Sequence, residues 1–263
     1  MPAPVRERMR ARALVGHRVP AAGSPWLADC LDGPSREVPV VAAGPHAVYL
    51  RDAGSCVAVL DRHAVAVPIG LRTGLPALPH ARSAVVGGGR VRLGGLTLEL
   101  ARIVTMTVPP LRRLAAHADT TGPWLKAGLH PRLDAAHRQL PDEALDALAG
   151  GDLQPLIGRG GGFTPVGDDV VCGWLVTRHA MGHRHVKPLA LHRTTAVSGA
   201  LLLRALEGEV IPQLSDLLVA VASGVGAEQV LSQLGDLVHI GSTSGAGLAI
   251  GAAVALSRDV SCR

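Results

Sequence analysis

The residues with the clearest chemical content lie in the stretch 158–173, GRGGGFTPVGDDVVCG. Gly158, Gly160, Gly161 and Gly162 admit positive φ and let the backbone approach a ligand closely. Thr164 before Pro165 has the pattern of an N-cap followed by the first helical residue. The hydroxyl accepts from a free N–H, and proline has no N–H to leave unpaired. A glycine turn feeding a helix N-terminus, with Gly167 inside the first turn, is suited to an anion. Asp168 and Asp169 follow. The helix dipole favours acid there, yet both would repel a bare phosphate. A bridging cation such as Mg2+, held by Asp169, or a substrate with its own donors resolves the conflict. The plainer reading is a structural cap with acidic first-turn residues, since an isolated glycine-rich turn is a weak signal.

Two other segments share the design. In GSTSGAG, residues 241–247, Ser242, Thr243 and Ser244 offer hydroxyls beside Gly245, just before an apolar helix. Its alternatives are a phosphate or carboxylate site and simple close packing of small residues. At the head of the helix in 193–209, Arg193 is a fork for an oxyanion, and Thr194, Thr195 and Ser198 are hydroxyls. Thr195 and Ser198 are three apart and share a helix face. An ordinary N-cap with a solvated arginine explains the same residues. The chain has no GxSxG, no cysteine with a local histidine signature, and no lysine in the glycine loop to make it a nucleotide loop.

The elements that must position these groups change character near Pro109 and Pro110. From Glu37 to Val108 the chain is a series of short, valine-rich runs bounded by Gly, Pro and Asp, such as VPVVAAG, CVAVLD, AVAVPIG and LTLELARIVTMTV. That spacing predicts antiparallel hairpins in a barrel or sandwich. GGGRVRLGGLTLEL is the clearest hairpin, because Val91, Leu93, Leu96, Leu98 and Leu100 alternate with polar neighbours. Asp61 and His63 in DRHA read as turn residues. After Pro110 the apolar period becomes helical: PLRRLAAHAD, one or two helices in 131–150, a buried helix through DDVVCGWLVTRHAMG, and three more before the last, LAIGAAVALSR. The expectation is an α+β chain with a β-barrel-like or sandwich half over 1–108 and a helical half over 109–263. Residues 1–33 are a basic lead-in in which VRERMRARALVG fits either a helix or a strand.

Composition narrows the function. The 263 residues are 48% apolar and only 2% aromatic, with net charge +5. Arginine supplies nearly all the positive charge, since Lys126 and Lys187 are the only lysines. One Phe and one Tyr leave few rings to stack bases, so a small anion is a more economical partner for the arginines than nucleic acid. The four cysteines form no CxxC pair, and His183 and His185 in GHRH lack a partner set for a metal. The N-terminus has no signal-peptide apolar core and no apolar run reaches membrane-spanning length, so a soluble cytoplasmic protein is expected.

Three blocks together carry a resemblance: LIGRGGGFTPVGDDVVCG (156–173), TTAVSGALLLRALEGE (194–209) and HIGSTSGAGLAIGAAVAL (239–256). They resemble the AllH-like family, named for a subunit of the oxamate carbamoyltransferase of anaerobic allantoin breakdown, part of purine catabolism. The first block is close to the family's LTPxGDD signature. The last departs from its usual GHTSGxDxLxG: Ser242 stands where His is common and Gly247 where an acid is common. The resemblance implies transfer of a carbamoyl group between oxamate and phosphate, within a complex of different subunits. It points to Asp168 and Asp169 as catalytic candidates, and to Gly160, Gly161, Gly162, Thr164, Gly167, Arg193, Thr194, Thr195, Ser198, Ser242, Thr243, Ser244 and Gly245 as substrate-binding ones. Carbamoyl transfer needs alignment of two small reactants and stabilised oxyanion charge, not a covalent intermediate. The competing class is a structural or ligand-sensing subunit without chemistry of its own. Two structural expectations follow: the three hydroxyl- and glycine-rich segments converge, and Asp168 caps free N–H groups while Asp169 faces the ligand.

Overall fold

The computed structural model describes residues 18–111, 130–185 and 187–260. VRERMRARALVG and nearly all of PLRRLAAHAD lie outside the described residues. The chain divides into two compact units, Met1–Thr105 and Met106–Arg263.

The first unit is a closed eight-stranded barrel in the order β1-β5-β4-β3-β2-β6-β7-β8. Its strands are β1 (Arg18–Gly23), β2 (Arg36–Ala43), β3 (Ala47–Asp52), β4 (Ser55–Leu60), β5 (Gly70–Thr73), β6 (Ser83–Gly87), β7 (Arg90–Leu93) and β8 (Leu96–Ile103). Closure removes the sheet edges that a sandwich would leave. Two-residue periodicity fills the interior: Val48, Leu50, Val57, Val59, Val91, Leu93, Leu96 and Leu98 all belong to one buried cluster. The β7–β8 hairpin forms as its alternation predicts, with Val91 opposite Leu98 and Leu93 opposite Leu96. Gly94 and Gly95 turn it with φ of 54° and 87°, the sign pattern that tight hairpins require.

Three features were not legible. The barrel is not wholly antiparallel, because β1 pairs with β8 and β4 with β5 in parallel. In AVAVPIG only the final glycine enters a strand, β5. Pro68 has no N–H for a ladder, and Gly70 donates back to the Val67 carbonyl at 2.9 Å, closing a turn instead. Within the lead-in, α1 (Pro25–Leu31) is capped by the Ser24 hydroxyl, which accepts from Leu27 N at 3.2 Å. It sends Leu27 and Leu31, both fully buried, into the barrel cluster.

The second unit is helical: α2 (Pro131–His137), α3 (Asp142–Ala149), α4 (Val166–Ala180), α5 (Ala196–Leu206), α6 (Pro212–Ser223), α7 (Ala227–Val238) and α8 (Ser244–Val260). Helix α4 is buried around almost its whole circumference, as its composition predicts. It can be, because α8 lies directly against it. A Cβ on Gly173 would overlap the Leu248 carbonyl, and one on Gly251 the Val170 carbonyl. The small residues are the contact surface of two backbones.

Candidate functional site

The glycine turn folds back over the start of α4. Gly158, with φ 77°, donates its N–H to Asp168 Oδ1 at 2.7 Å, and a Cβ there would overlap the Arg193 carbonyl. Gly160, with φ 106°, presses on Val166 N. Gly167 leaves no room for a Cβ beside the Leu156 carbonyl. Gly161 and Gly162 differ: they are exposed, and a Cβ on either would meet nothing within 4 Å. No described residue accepts a hydrogen bond from the N–H of Gly160, Gly161 or Gly162.

The cap is one residue later than its sequence suggests. Pro165, not Thr164, is the N-cap, with ψ 137° and no side-chain cap bond. The Gly167 N–H is taken by the Arg159 carbonyl at 2.9 Å, so no hydroxyl is needed to hold it. Thr164 turns its hydroxyl to Ser244 Oγ at 2.9 Å instead. The third segment is also displaced. Helix α8 begins at Ser244, so Gly245 is not in a loop; it is a helical residue packed on the Leu237 carbonyl.

Hydrogen bonds tie the three segments together. Thr194 donates its hydroxyl to Asp168 Oδ2, and the Ser198 hydroxyl helps to lower the same carboxyl. Thr195 donates to the Phe163 carbonyl at 2.6 Å and also caps α5, accepting from Ser198 N at 3.0 Å. Ser244 bonds Thr164, and its hydroxyl also acts to lower the Asp169 carboxyl. Asp168 therefore staples the glycine turn to the head of α5, while Ser244 joins α8 to the same cluster. Three side chains stand apart. Arg193 ends a short 3-10 turn, Leu191–Arg193, and its guanidinium donates to the Gln154 carbonyl at 3.0 Å. Ser242 and Thr243 lie in the turn before α8, and among the described residues neither hydroxyl bonds to the other two segments.

Burial governs the charges. Asp168 is only 1% exposed, and burial raises its carboxyl above the usual range against the pull of Thr194, Gly158 and Ser198. Asp169 is pushed much further up, first by burial and then by the neighbouring Asp168, with Ser244 opposing. Its Oδ2 has neither solvent nor a hydrogen-bond partner. Gly247 shuts the space beside it, since a Cβ there would come within 2.8 Å of the Asp169 Cβ. The Cys172 thiol is raised well above its ordinary value by burial and by both aspartates, so it is not an activated nucleophile. Among the described residues no three His, Cys, Asp or Glu side chains gather as a metal set.

Sequence reasoning missed Arg132 on α2. Its guanidinium donates to the Gly241 carbonyl at 2.8 Å and so fixes the turn that delivers Ser244. Pro131-Arg132 carries only a helix-start signal, and nothing local in it marks a contact to residue 241.

Residues 156–256 match the family described as oxamate carbamoyltransferase subunit AllH. This segment is AllH-like. The match begins at Leu156, just before the glycine turn, and ends within α8, so the AllH-like segment contains the whole hydrogen-bonded cluster. No curated protein and no solved structure matches the chain. Among the described residues no helix is long and apolar enough to cross a membrane.

Proposed function

We propose that the chain serves as a subunit of an oxamate carbamoyltransferase-like complex and binds a small anion at the glycine turn of its AllH-like segment. Carbamoyl phosphate, oxamate and related carboxylates are the ligands of the right size and charge. The observation that carries this reading is the open row of Gly160, Gly161 and Gly162 N–H groups above a cluster that Asp168, Thr194, Thr195 and Thr164 tie together. Free N–H groups at a helix entrance stabilise oxyanion charge without a proton transfer. Asp168 and Thr194 hold the turn in shape, and the hydroxyls of Thr164 and Ser244 sit beside it. Asp169 acts from below, as a positioning residue through Ser244, because its carboxyl is enclosed. Mg2+ would arrive with a phosphate ligand, as is usual for that ion.

A second reading, a ligand-sensing or structural subunit without chemistry, is favoured by Phe163. This residue is 57% exposed in the glycine turn, a position suited to another subunit. Calorimetric titration of the full chain with carbamoyl phosphate, oxamate and phosphate, with and without Mg2+, separates the two. Saturable binding of carbamoyl phosphate or oxamate supports the anion site. No heat with any of the three, while a second protein co-purifies with the chain, supports the structural subunit.

A further inference from the structure

The barrel carries a hollow of about 380 Å³ on its outer face, lined among others by Arg18, Ser35, Gly88, Arg90, Arg92 and Thr97. Strand geometry puts these groups there. Arg90 and Arg92 alternate with the buried Val91 and Leu93, so both point outward from β7. The register then builds two rows across the sheet. Arg92 stands opposite Val85 on one side and Thr97 on the other, and Thr97 stands opposite Arg18. In the next row Arg90 lies between Gly87 and Glu99. Gly87 keeps the end of the hollow open: at φ 145° it is held against the Pro34 carbonyl, where no side chain fits.

Three guanidinium groups thus line the hollow, and one carboxylate, Glu99, pairs with two of them. Glu99 Oε1 lies 3.1 Å from Arg18 Nη1 and 3.3 Å from Arg90 Nε, so one acid is divided between two arginines. Arg92 has no ion pair among the described residues. An excess of guanidinium over a hydroxyl-bearing floor is the arrangement that recognises a doubly charged oxyanion. The lining contains no aromatic ring, and Val85 is its one large apolar side chain, so a nucleobase finds no stacking surface. The volume is at the small end of metabolite pockets.

We infer that this outer face of the barrel is a second anion site, for a small polar metabolite carrying a phosphate ester or an equivalent dianionic group, independent of the glycine turn. Arg92 and Arg18 would grip the oxyanion from either side of Thr97, and Glu99 acts as the internal competitor that a ligand displaces from Arg18 and Arg90.

Two substitutions of opposite sign test this on the full-length chain. Calorimetry with glycerol phosphate and inorganic phosphate as probes should show binding at least tenfold weaker in Arg92→Gln and several-fold tighter in Glu99→Gln. Melting temperature should be unchanged in Arg92→Gln, whose side chain is exposed. Both effects should shrink as salt is raised, because the site is open to screening. Equal affinities in wild type and Arg92→Gln overturn the inference. Binding of a uridine oligonucleotide, but of neither phosphate probe, also overturns it and makes the arginines a nucleic-acid surface. The glycine turn lies in the other unit, and oxamate, which is not among these probes, tests it separately.

Discussion

Asp61 in the first unit and Asp169 in the second are both buried, and the two are held in opposite ways. Asp61, in the barrel, is fully covered, yet its carboxyl stays below the usual range. Burial pushes it up, but His46 at 3.0 Å and the N–H groups of His63 at 2.8 Å and Ala64 at 3.0 Å more than compensate. Asp169, in the helical unit, has only Ser244 acting against its burial and one oxygen without a partner, and it is driven far up. The difference lies in the supply of donors and in depth: Asp61 is held by a turn near the surface, and Asp169 sits deep among the helices. A turn bends its own N–H groups toward the side chain at its head, whereas the N–H of Asp169 is already spent on the Pro165 carbonyl at 3.2 Å. Asp61 is a structural fastener, and Asp169 is a buried acid that the fold does not use up.

The contrast can be broken most forcefully at Asp168, which is supplied with donors like Asp61 yet raised by burial like Asp169. Asp168→Ala strands the Gly158 N–H and the Thr194 hydroxyl. A loss of about 3 kcal/mol is expected, from two bonds to a charged group at roughly 1.5–3 kcal/mol each in part offset by relaxation, and denaturant unfolding measures it. An isosteric change then sharpens the comparison. Asp61→Asn should cost about 2 kcal/mol, because an amide accepts less well from three donors. Asp169→Asn should cost little. A gain in melting temperature for Asp61→Asn would show that the turn does not need the charge. Smaller still is the cap of α5: Thr195→Ala is expected to lower stability by about 1 kcal/mol, and to loosen the Phe163 carbonyl that the same hydroxyl holds.

The weakest effect in free energy is the most specific in form. The folded pKa of Asp169 is raised, so its contribution is present below the ordinary carboxylate range and is lost as pH rises toward the raised value. That of Asp61 is lowered, so its contribution is present above the ordinary range and is lost as pH falls through the depressed value. Melting curves across acid to neutral pH should therefore flatten on the rising-pH side in Asp169→Asn and on the falling-pH side in Asp61→Asn. Unaltered profiles in both variants would mean that neither carboxyl is perturbed.

What could be read from the chain follows local physics. The β7–β8 hairpin was legible because alternation and a Gly-Gly turn both act within a few residues. Helix α4 was legible because it is apolar all round, and Asp61 because DRHA has the composition of a turn. The parallel pairs β1–β8 and β4–β5 join residues that no short pattern links. Helix α1 was missed although Ser24-Pro25 is a cap and a first-turn proline, because the helix spans only Pro25–Leu31. At the site, the convergence of residues near 164, 195 and 244 was legible from the repeated type of helix entrance. The cap register was not, since the Arg159 carbonyl does the work assigned to a hydroxyl. The bond from Arg193 to the Gln154 carbonyl was not legible either, because no short pattern links residues 39 apart.

The open N–H groups of the glycine turn carry the proposed anion site. The direct test is an amide NMR titration of the full chain with oxamate and with carbamoyl phosphate, following Gly160, Gly161 and Gly162 against Gly54, a barrel turn glycine with open space around it. The expected result is saturable movement of the three loop resonances with Gly54 fixed. Loop resonances that stay in place through millimolar ligand would contradict the anion site.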